Sequence, residues 1–203
     1  MSHGSDIVPV PGGALVEATT SVPRYLNPLL SGYATVDDDV ARLCFAGLTR
    51  RTPAGLVVPH LASRWDVGPD LLSYTFTLRP GLRFHDGQPL RVADVVATIG
   101  LLQAKGFPGP VGLVDLWRDV RVEVPADGQV RLLLREPDAS FLEVCSLGIV
   151  PERWAQDVGA QDPRGSPFNA RPIGAGPFRV AMAEPTRVLL EPADTYHGPR
   201  AFL

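Results

Sequence analysis

Proline and glycine divide this chain into short pieces along its whole length. The 203 residues contain 21 prolines and 20 glycines, which are spread along the sequence rather than collected in one tract. Both residues favour turns, so their distribution predicts many short helices and strands. Hydrophobic residues make up 45% and charged residues 20%, which is ordinary for a globular protein. No stretch approaches the roughly 20 apolar residues of a membrane-spanning helix.

The charge balance gives no reason to expect a nucleic-acid partner. The formal net charge is -3, and no run of lysine or arginine indicates a basic groove. The opening Met1-Ser-His-Gly-Ser-Asp6 lacks the basic and apolar regions of a signal peptide, so residues 1–12 are interpreted as an added leader or extended terminus. That interpretation leaves the localisation open.

Motifs of catalysis are missing from the sequence. It contains no phosphate-binding glycine loop and no Gly-x-Ser-x-Gly elbow. The four histidines are widely separated and form no zinc-ligand pair. Catalytic residues that meet only in the fold remain an alternative. We expect no enzymatic activity, no cofactor and no metal.

The two cysteines, Cys44 and Cys145, lie among apolar neighbours. Buried cysteine behaves as a small apolar residue, so two free thiols are predicted. A disulfide between them is the alternative in an oxidising compartment.

Hydrophobic periodicity and turn residues predict the secondary structure. Strands are predicted over residues 14–19, 56–59, 74–78, 120–124, 130–134, 178–183 and 187–191. Helices are predicted over 36–48, 92–105 and 138–146, and a further helix begins at Pro151. Residues 164–172 are predicted to form a loop. Asp37, Asp38 and Asp39 are interpreted as a charge cluster in the first turn of a helix, with a metal site as the alternative.

Residues 43–96 carry short motifs whose order and spacing are specific when taken together. Leu43-Cys-Phe-Ala-Gly-Leu-Thr49 resembles a Tyr-Glu-Gly-Leu helix end, and Pro59-His-Leu-Ala-Ser-Arg-Trp65 matches Pro-x-Leu-Ala-x-x-Trp. Tyr74-Thr-Phe-Thr-Leu-Arg-Pro-Gly-Leu-Arg-Phe-His-Asp-Gly-Gln-Pro-Leu90 matches Tyr-x-Phe-x-Leu-Arg-x-Gly-x-x-Phe-His-Asp-Gly-x-Pro-Leu. Asp94-Val95 matches the start of the following helix. These motifs are similar to those of peptide-type (family 5) extracellular solute-binding proteins of ABC importers.

The resemblance covers about residues 13–203. Tyr25-Leu-Asn-Pro28 looks like the family's loop after its first strand, and Pro172-Ile-Gly-Ala-Gly-Pro-Phe178 looks like Pro-x-Gly-Thr-Gly-Pro-Tyr. Tyr196-His-Gly-Pro-Arg200 resembles a Tyr-Trp-x-Gly region. Ala175 stands where the family has threonine, and His197 stands where it has tryptophan.

The resemblance implies an α/β fold, a type-II periplasmic binding-protein-like lobe with an inserted α+β subdomain. Residues 13–48 and 172–203 would form part of the lobe I core sheet, and residues 49–171 would form the inserted subdomain. Family members continue past this point with a second lobe, so we expect a lobe truncated before lobe II. Weak or no ligand affinity is expected of such a fragment, and a homodimer is expected because it would expose apolar surface and a sheet edge.

The implied function is capture of a solute, peptides by default, for delivery to ABC permease subunits. The expected localisation is extracytoplasmic, in the periplasm or on the cell surface, with membrane association only through the permease or a removed lipid anchor. The alternative is a structural or interaction module that derives from such a receptor and has no transport ligand.

The candidate ligand-binding residues lie mainly in turns and loops, where binding groups are common. They are Arg24, Tyr25, Leu26, Asn27, Gly47, Leu48, Gly174 and Gly176. A plain turn is the alternative for Asn27, and a tight turn before a strand is the alternative for the last two glycines. His85-Asp86 is interpreted as part of a turn rather than an acid–base pair, and Trp65, Phe76 and Phe84 as core rather than a ligand shelf.

Overall fold

A computed structural model describes residues 12–32, 34–158 and 162–200 of the chain. The helices are α1 (Thr35–Cys44), α2 (Val92–Gln103), α3 (Val111–Trp117), α4 (Phe141–Val144) and α5 (Glu152–Val158). The strands are β1 (Thr49–Arg51), β2 (Val57–Pro59), β3 (Ala62–Val67), β4 (Ser73–Leu78), β5 (Arg121–Glu123), β6 (Gln129–Leu133), β7 (Phe178–Glu184) and β8 (Arg187–Pro192). Two 3₁₀ turns, Pro163–Gly165 and Pro167–Asn169, lie in the predicted loop.

A four-stranded antiparallel sheet in the order β3-β4-β6-β5 forms the centre of the structure. Strand β4 alternates buried and half-buried residues, as its sequence predicts, and Phe76 pairs with Val130 across to β6. Both side chains are fully buried. The hairpin predicted around Pro125–Gln129 is confirmed by the pairing of β5 with β6. Strands β1 and β2 form one separate hairpin, and β7 and β8 form another.

Helix α2 contributes the apolar face that its periodicity predicts. Val95, Ile99 and Leu102 are all buried in the main core. The fully buried Thr98 joins α2 to the segment before α5, because its hydroxyl accepts a hydrogen bond from the Val150 amide at 3.1 Å. The helix ends at Gln103, earlier than predicted, and Gly106 follows with a positive φ of 78°.

The predicted strand over residues 14–19 is wrong for this structure. These residues are exposed and pair with no strand among the described residues, so β-prone composition alone does not form a ladder here. Helix α1 is also shorter than predicted. Phe45 is extended, with φ -116° and ψ 156°, so the apolar residues from Phe45 to Leu48 are buried as extended chain.

Three elements were not predicted: β1, β3 and α3. Strand β3 lies at the sheet edge and is mostly exposed, so it lacks a clear apolar alternation. Helix α3 begins directly after a proline- and glycine-rich segment and buries only Trp117. The predicted burial of Phe76 and Phe84 is confirmed, and Trp65 packs partly buried against Phe76 with ring centroids 6.3 Å apart.

Both cysteines are buried free thiols. Burial raises the pKa of Cys44 to about 12 and raises the pKa of Cys145 well above its ordinary value. Both side chains therefore serve as apolar packing groups at neutral pH.

A clasp made of His60, Tyr196 and His197 joins the chain after β8 to the residue after β2. The Tyr196 hydroxyl lies 3.0 Å from His60 Nε2, and His197 Nε2 donates to the His60 carbonyl oxygen at 3.1 Å. The rings of the two histidines are 5.2 Å apart. The clasp buries His60 and leaves His197 exposed, and the charges of Arg50 and Arg79 act on both rings.

The clasp predicts a loss of stability on mild acidification. Burial, and then the charges of His197, Arg50 and Arg79, lower the pKa of His60 from 6.5 to about 4. The unfolded chain therefore binds this proton first, and the free energy of unfolding falls between pH 6.5 and about 4, by at most about 3 kcal/mol for this one group. Urea unfolding across this range should show a shallower fall for His60→Gln. Equal slopes in both proteins would contradict the assignment.

Candidate functional site

Asp37 fixes the loop that carries the first candidate residues. Its carboxylate is fully buried and accepts hydrogen bonds from the backbone amides of Arg24, at 2.8 Å, and Tyr25, at 3.2 Å. Sequence reasoning identified only a charge cluster here and missed this role. A buried carboxylate needs such donors, because burying it unpaired would cost several kcal/mol. The loop backbone is therefore held in one position relative to α1.

The next two loop residues face inward. Leu26 and Asn27 are both buried, and the Asn27 side-chain amide donates to Asn169 Oδ1 at 3.0 Å. Asn27 Oδ1 accepts from the Leu29 amide at 3.0 Å, which closes the turn that its Asn-Pro sequence predicts. Arg24 is exposed and Tyr25 is half-buried, in contrast to the two buried residues that follow them.

The two glycines after Pro172 lie against the last turn of α1. The Gly176 amide donates to the Cys44 carbonyl oxygen at 2.9 Å, which satisfies one of the carbonyls that a helix end leaves open. A Cβ at Gly174 would collide with that same carbonyl oxygen, and one at Gly176 would lie 2.5 Å from the Leu43 oxygen. Glycine is required at both positions because the segment approaches the backbone of α1 closely.

Gly47 and Leu48 continue from the same helix end. A Cβ at Gly47 would overlap the backbone of Ser146, and Leu48 is buried. The carbonyl oxygens of Gly47 and Leu48 accept hydrogen bonds from Leu61 and His60 at 3.0 Å. This short segment therefore joins α1 to the β1–β2 hairpin through its backbone.

His85 connects the glycine segment to the turn after β4. Its Nδ1 accepts from the Gly174 amide at 3.3 Å, and its Nε2 lies 3.1 Å from the Gly176 carbonyl oxygen. Both bonds form together only in the neutral tautomer with the hydrogen on Nε2. Burial lowers the pKa of His85 and favours that form. Asp86 instead binds the guanidinium of Arg153 and the Gln88 amide, as expected for a turn residue.

The candidate residues collect at the two ends of α1. Arg24 and Tyr25 bind Asp37 near its start, whereas Gly47, Gly174 and Gly176 surround its last turn. Asp37 and Cys44 are seven positions apart in α1, so the helix rises about 10 Å between them. Among the described residues, no three His, Cys, Asp or Glu side chains form a group that could hold a metal ion. Within that part of the chain, no helix has the length and apolarity needed to cross a membrane.

Comparison with known proteins decides the family. The model of the bacterial extracellular solute-binding proteins, family 5, matches residues 57–202. This chain belongs to that family. The matched region includes the motifs from Pro59 to Val95 on which the resemblance was based.

Curated relatives support the family 5 assignment. Protein XP55 of Streptomyces lividans is 36% identical over 166 residues, which cover 81% of this chain and 29% of the relative. A probable di/tripeptide-binding protein 5 of Pseudomonas aeruginosa is 35% identical over 142 residues, with 61% of this chain and 27% of the relative covered. The chain thus spans less than a third of the length of these two relatives.

A solved structure shows the same fold. The oligopeptide-binding protein AppA of Bacillus subtilis, in complex with a nonapeptide, superimposes with a TM-score of 0.84 at 28% identity. The match covers 93% of this chain and 38% of AppA. The family 5 chain therefore has the α/β architecture of part of a periplasmic binding protein, as its sequence predicts.

Asp37→Asn tests how the loop is held. The side-chain amide keeps one acceptor oxygen but places an NH₂ group against one of the two backbone donors, so we expect a loss of about 1–3 kcal/mol in the free energy of unfolding. Hydrogen exchange at the Arg24 and Tyr25 amides should accelerate. The matched control is Asp39→Asn, since Asp39 is exposed two residues further along α1. Equal effects of the two substitutions would show that Asp37 has no special role.

Gly174→Ala tests the close approach to α1. The added methyl group collides with the Cys44 carbonyl, so we expect a loss of about 1–3 kcal/mol by denaturant unfolding. Gly100→Ala is the control, because a Cβ at this exposed helix position meets nothing within 4 Å. That control should stabilise α2 by about 0.5–1 kcal/mol. A neutral Gly174→Ala variant would overturn the packing described here.

Proposed function

We propose that this family 5 chain belongs to the solute-binding component of an ABC importer and takes part in capturing peptides. The single observation that carries the proposal is the superposition on peptide-bound AppA at a TM-score of 0.84 and 28% identity. The ligand is bound and released, with no chemical step and no cofactor. ABC permease subunits are the proposed partners, and the proposed location is outside the cytoplasm, with no nucleic-acid partner.

The loop at the start of α1 is the part of the chain that we assign to ligand contact. Arg24 and Tyr25 have fixed backbones and outward-facing side chains, so they can meet a ligand without reorganising the loop. Leu26, Asn27 and Leu48 support that position from inside the core. Gly47, Gly174 and Gly176 contribute through backbone groups around the end of α1.

The proposed domain division groups the helices and strands that are continuous in sequence around the four-stranded sheet. Residues 49–171 contain the four-stranded sheet with α2 to α5, and they form the proposed inserted subdomain. Residues 13–48 and 172–203 form the proposed part of lobe I. Self-association to a homodimer is proposed through the exposed segment 14–19, in which Leu15 and Val16 are 74% and 89% exposed.

Ligand identity is tested on the product of the complete gene. Native mass spectrometry after gentle purification should show bound peptides, and added di- to nonapeptides should raise its Tm. Tyr25→Ala combined with Arg24→Gln should weaken peptide binding by about tenfold, which corresponds to about 1.4 kcal/mol. The control is Arg187→Gln, an exposed arginine on β8.

Two results would count against the proposal. Protein that carries no peptide and shows no thermal shift with any peptide would exclude the peptide class. Protein that carries a different small solute would retain solute binding and reject peptides. If the loop variants bind as tightly as the control, the assignment of Arg24 and Tyr25 to the ligand site is wrong.

A further inference from the structure

The His60–Tyr196–His197 clasp lies beside two arginines that have no acidic partner. Arg79 donates through Nε to the His60 carbonyl oxygen at 2.7 Å. Its two terminal nitrogens make no ion pair or hydrogen bond with the part of the chain that the structure describes. Arg50 is exposed and likewise has no such partner among the described residues. The exposed Arg50 guanidinium can therefore meet an external group, and the half-buried Arg79 keeps two terminal nitrogens without a partner in the described chain.

The strand pairing of the β1–β2 hairpin places Arg50 near the clasp. Arg50 pairs with Val58 across the β1–β2 hairpin, and His60 follows two residues later, directly after the end of β2. The positive charges of Arg50 and Arg79 both act on His60, Tyr196 and His197, so both arginines lie near the clasp.

The remaining charges nearby are already paired. Asp194 and Arg200, on the same segment as the clasp, lie 3.6 Å from each other, and Arg51 on β1 lies 4.0 Å from Glu143. No described carboxylate lies within ion-pair distance of Arg50 or Arg79. The cluster therefore carries two fixed positive charges and two histidines that can add more.

The hydrogen bond of His197 determines which ring nitrogen a second proton would bind. Its Nε2 already donates to the His60 carbonyl oxygen, so Nδ1 is the acceptor of the neutral ring. A second proton must therefore bind at Nδ1 and create a new donor. Burial and the positive charges of Arg79 and Arg50 lower the pKa of His197. The lowered pKa favours the neutral form of this imidazole.

We propose that Arg50, Arg79 and His197, with His60 behind them, form a binding site for an oxyanion such as a carboxylate or phosphate group. Guanidinium forks bind both groups through charge-assisted hydrogen bonds. An anion at the cluster neutralises the arginines and favours the imidazolium form of His197. Anion binding and proton binding then strengthen each other, so affinity rises as the pH falls. This proposal does not depend on the assignment of Arg24 and Tyr25 to the solute.

The test measures the histidine rings directly by NMR in the 203-residue chain. The Cε1–H resonance of His197, assigned with His197→Gln, is titrated with pH in chloride, in inorganic phosphate and in citrate at matched ionic strength. We expect phosphate, citrate or both to raise the apparent pKa of His197 by about 1 unit, the size expected for a nearby opposite charge. By linkage, the anion then binds the protonated form about tenfold more tightly.

Variants separate this site from general ionic effects. Arg50→Gln is the mildest change, because the Arg50 side chain is exposed and makes no hydrogen bond within the described chain, and it should reduce the anion-induced shift. The double variant Arg50→Gln/Arg79→Gln should abolish it, whereas Arg187→Gln should leave it unchanged. Circular dichroism checks that each variant is folded.

A response to citrate alone identifies a carboxylate source, and a response to phosphate alone identifies a phosphate source. An unchanged His197 titration in both anions overturns the proposal. So does a shift of equal size in folded Arg50→Gln and in Arg187→Gln, because the anion would then act elsewhere.

Discussion

The contact between the last turn of α1 and the Gly174–Gly176 segment holds the structure together. The Cys44 carbonyl is an open acceptor at a helix end, and the Gly176 amide fills it at 2.9 Å. Side chains on these glycines would overlap the backbone of Leu43 and Cys44. His85 then bonds to both glycines from the turn after β4. Helix α1 thus connects the first loop, at its start, with the β7–β8 hairpin and the turn after β4, at its end.

This arrangement explains why the family is so evident while the ligand is not. The motifs that carry the resemblance are backbone contacts, turns and core residues. His85 binds glycine backbone, Phe76 and Phe84 fill the core, and Gly47 admits the Ser146 backbone. Such residues define a scaffold that can hold many ligands. The side chain of Arg24, which we propose for ligand contact, is exposed, so packing does not constrain its identity.

Much of the fold could be predicted from local pattern, and the failures have physical reasons. The alternation in β4 and the periodicity of α2 arise because each has one buried face. Strand β3 was missed because an exposed edge strand does not need apolar alternation. The segment 14–19 has strand-like composition, yet a strand forms only when a neighbour supplies hydrogen bonds. The role of Asp37 could not be found at all, because its partners lie 12 and 13 residues away.

Hydrogen exchange at the Gly176 amide tests the central contact most directly. This amide belongs to a segment without regular secondary structure, and its hydrogen-bond acceptor is the Cys44 carbonyl oxygen. If α1 and the glycine segment form one unit, the Gly176 amide should exchange as slowly as the amides of Phe76 and Val130 in the central sheet. Exchange at the rate of an unstructured peptide would show that the hairpin and the sheet are not joined through α1, and would contradict the account.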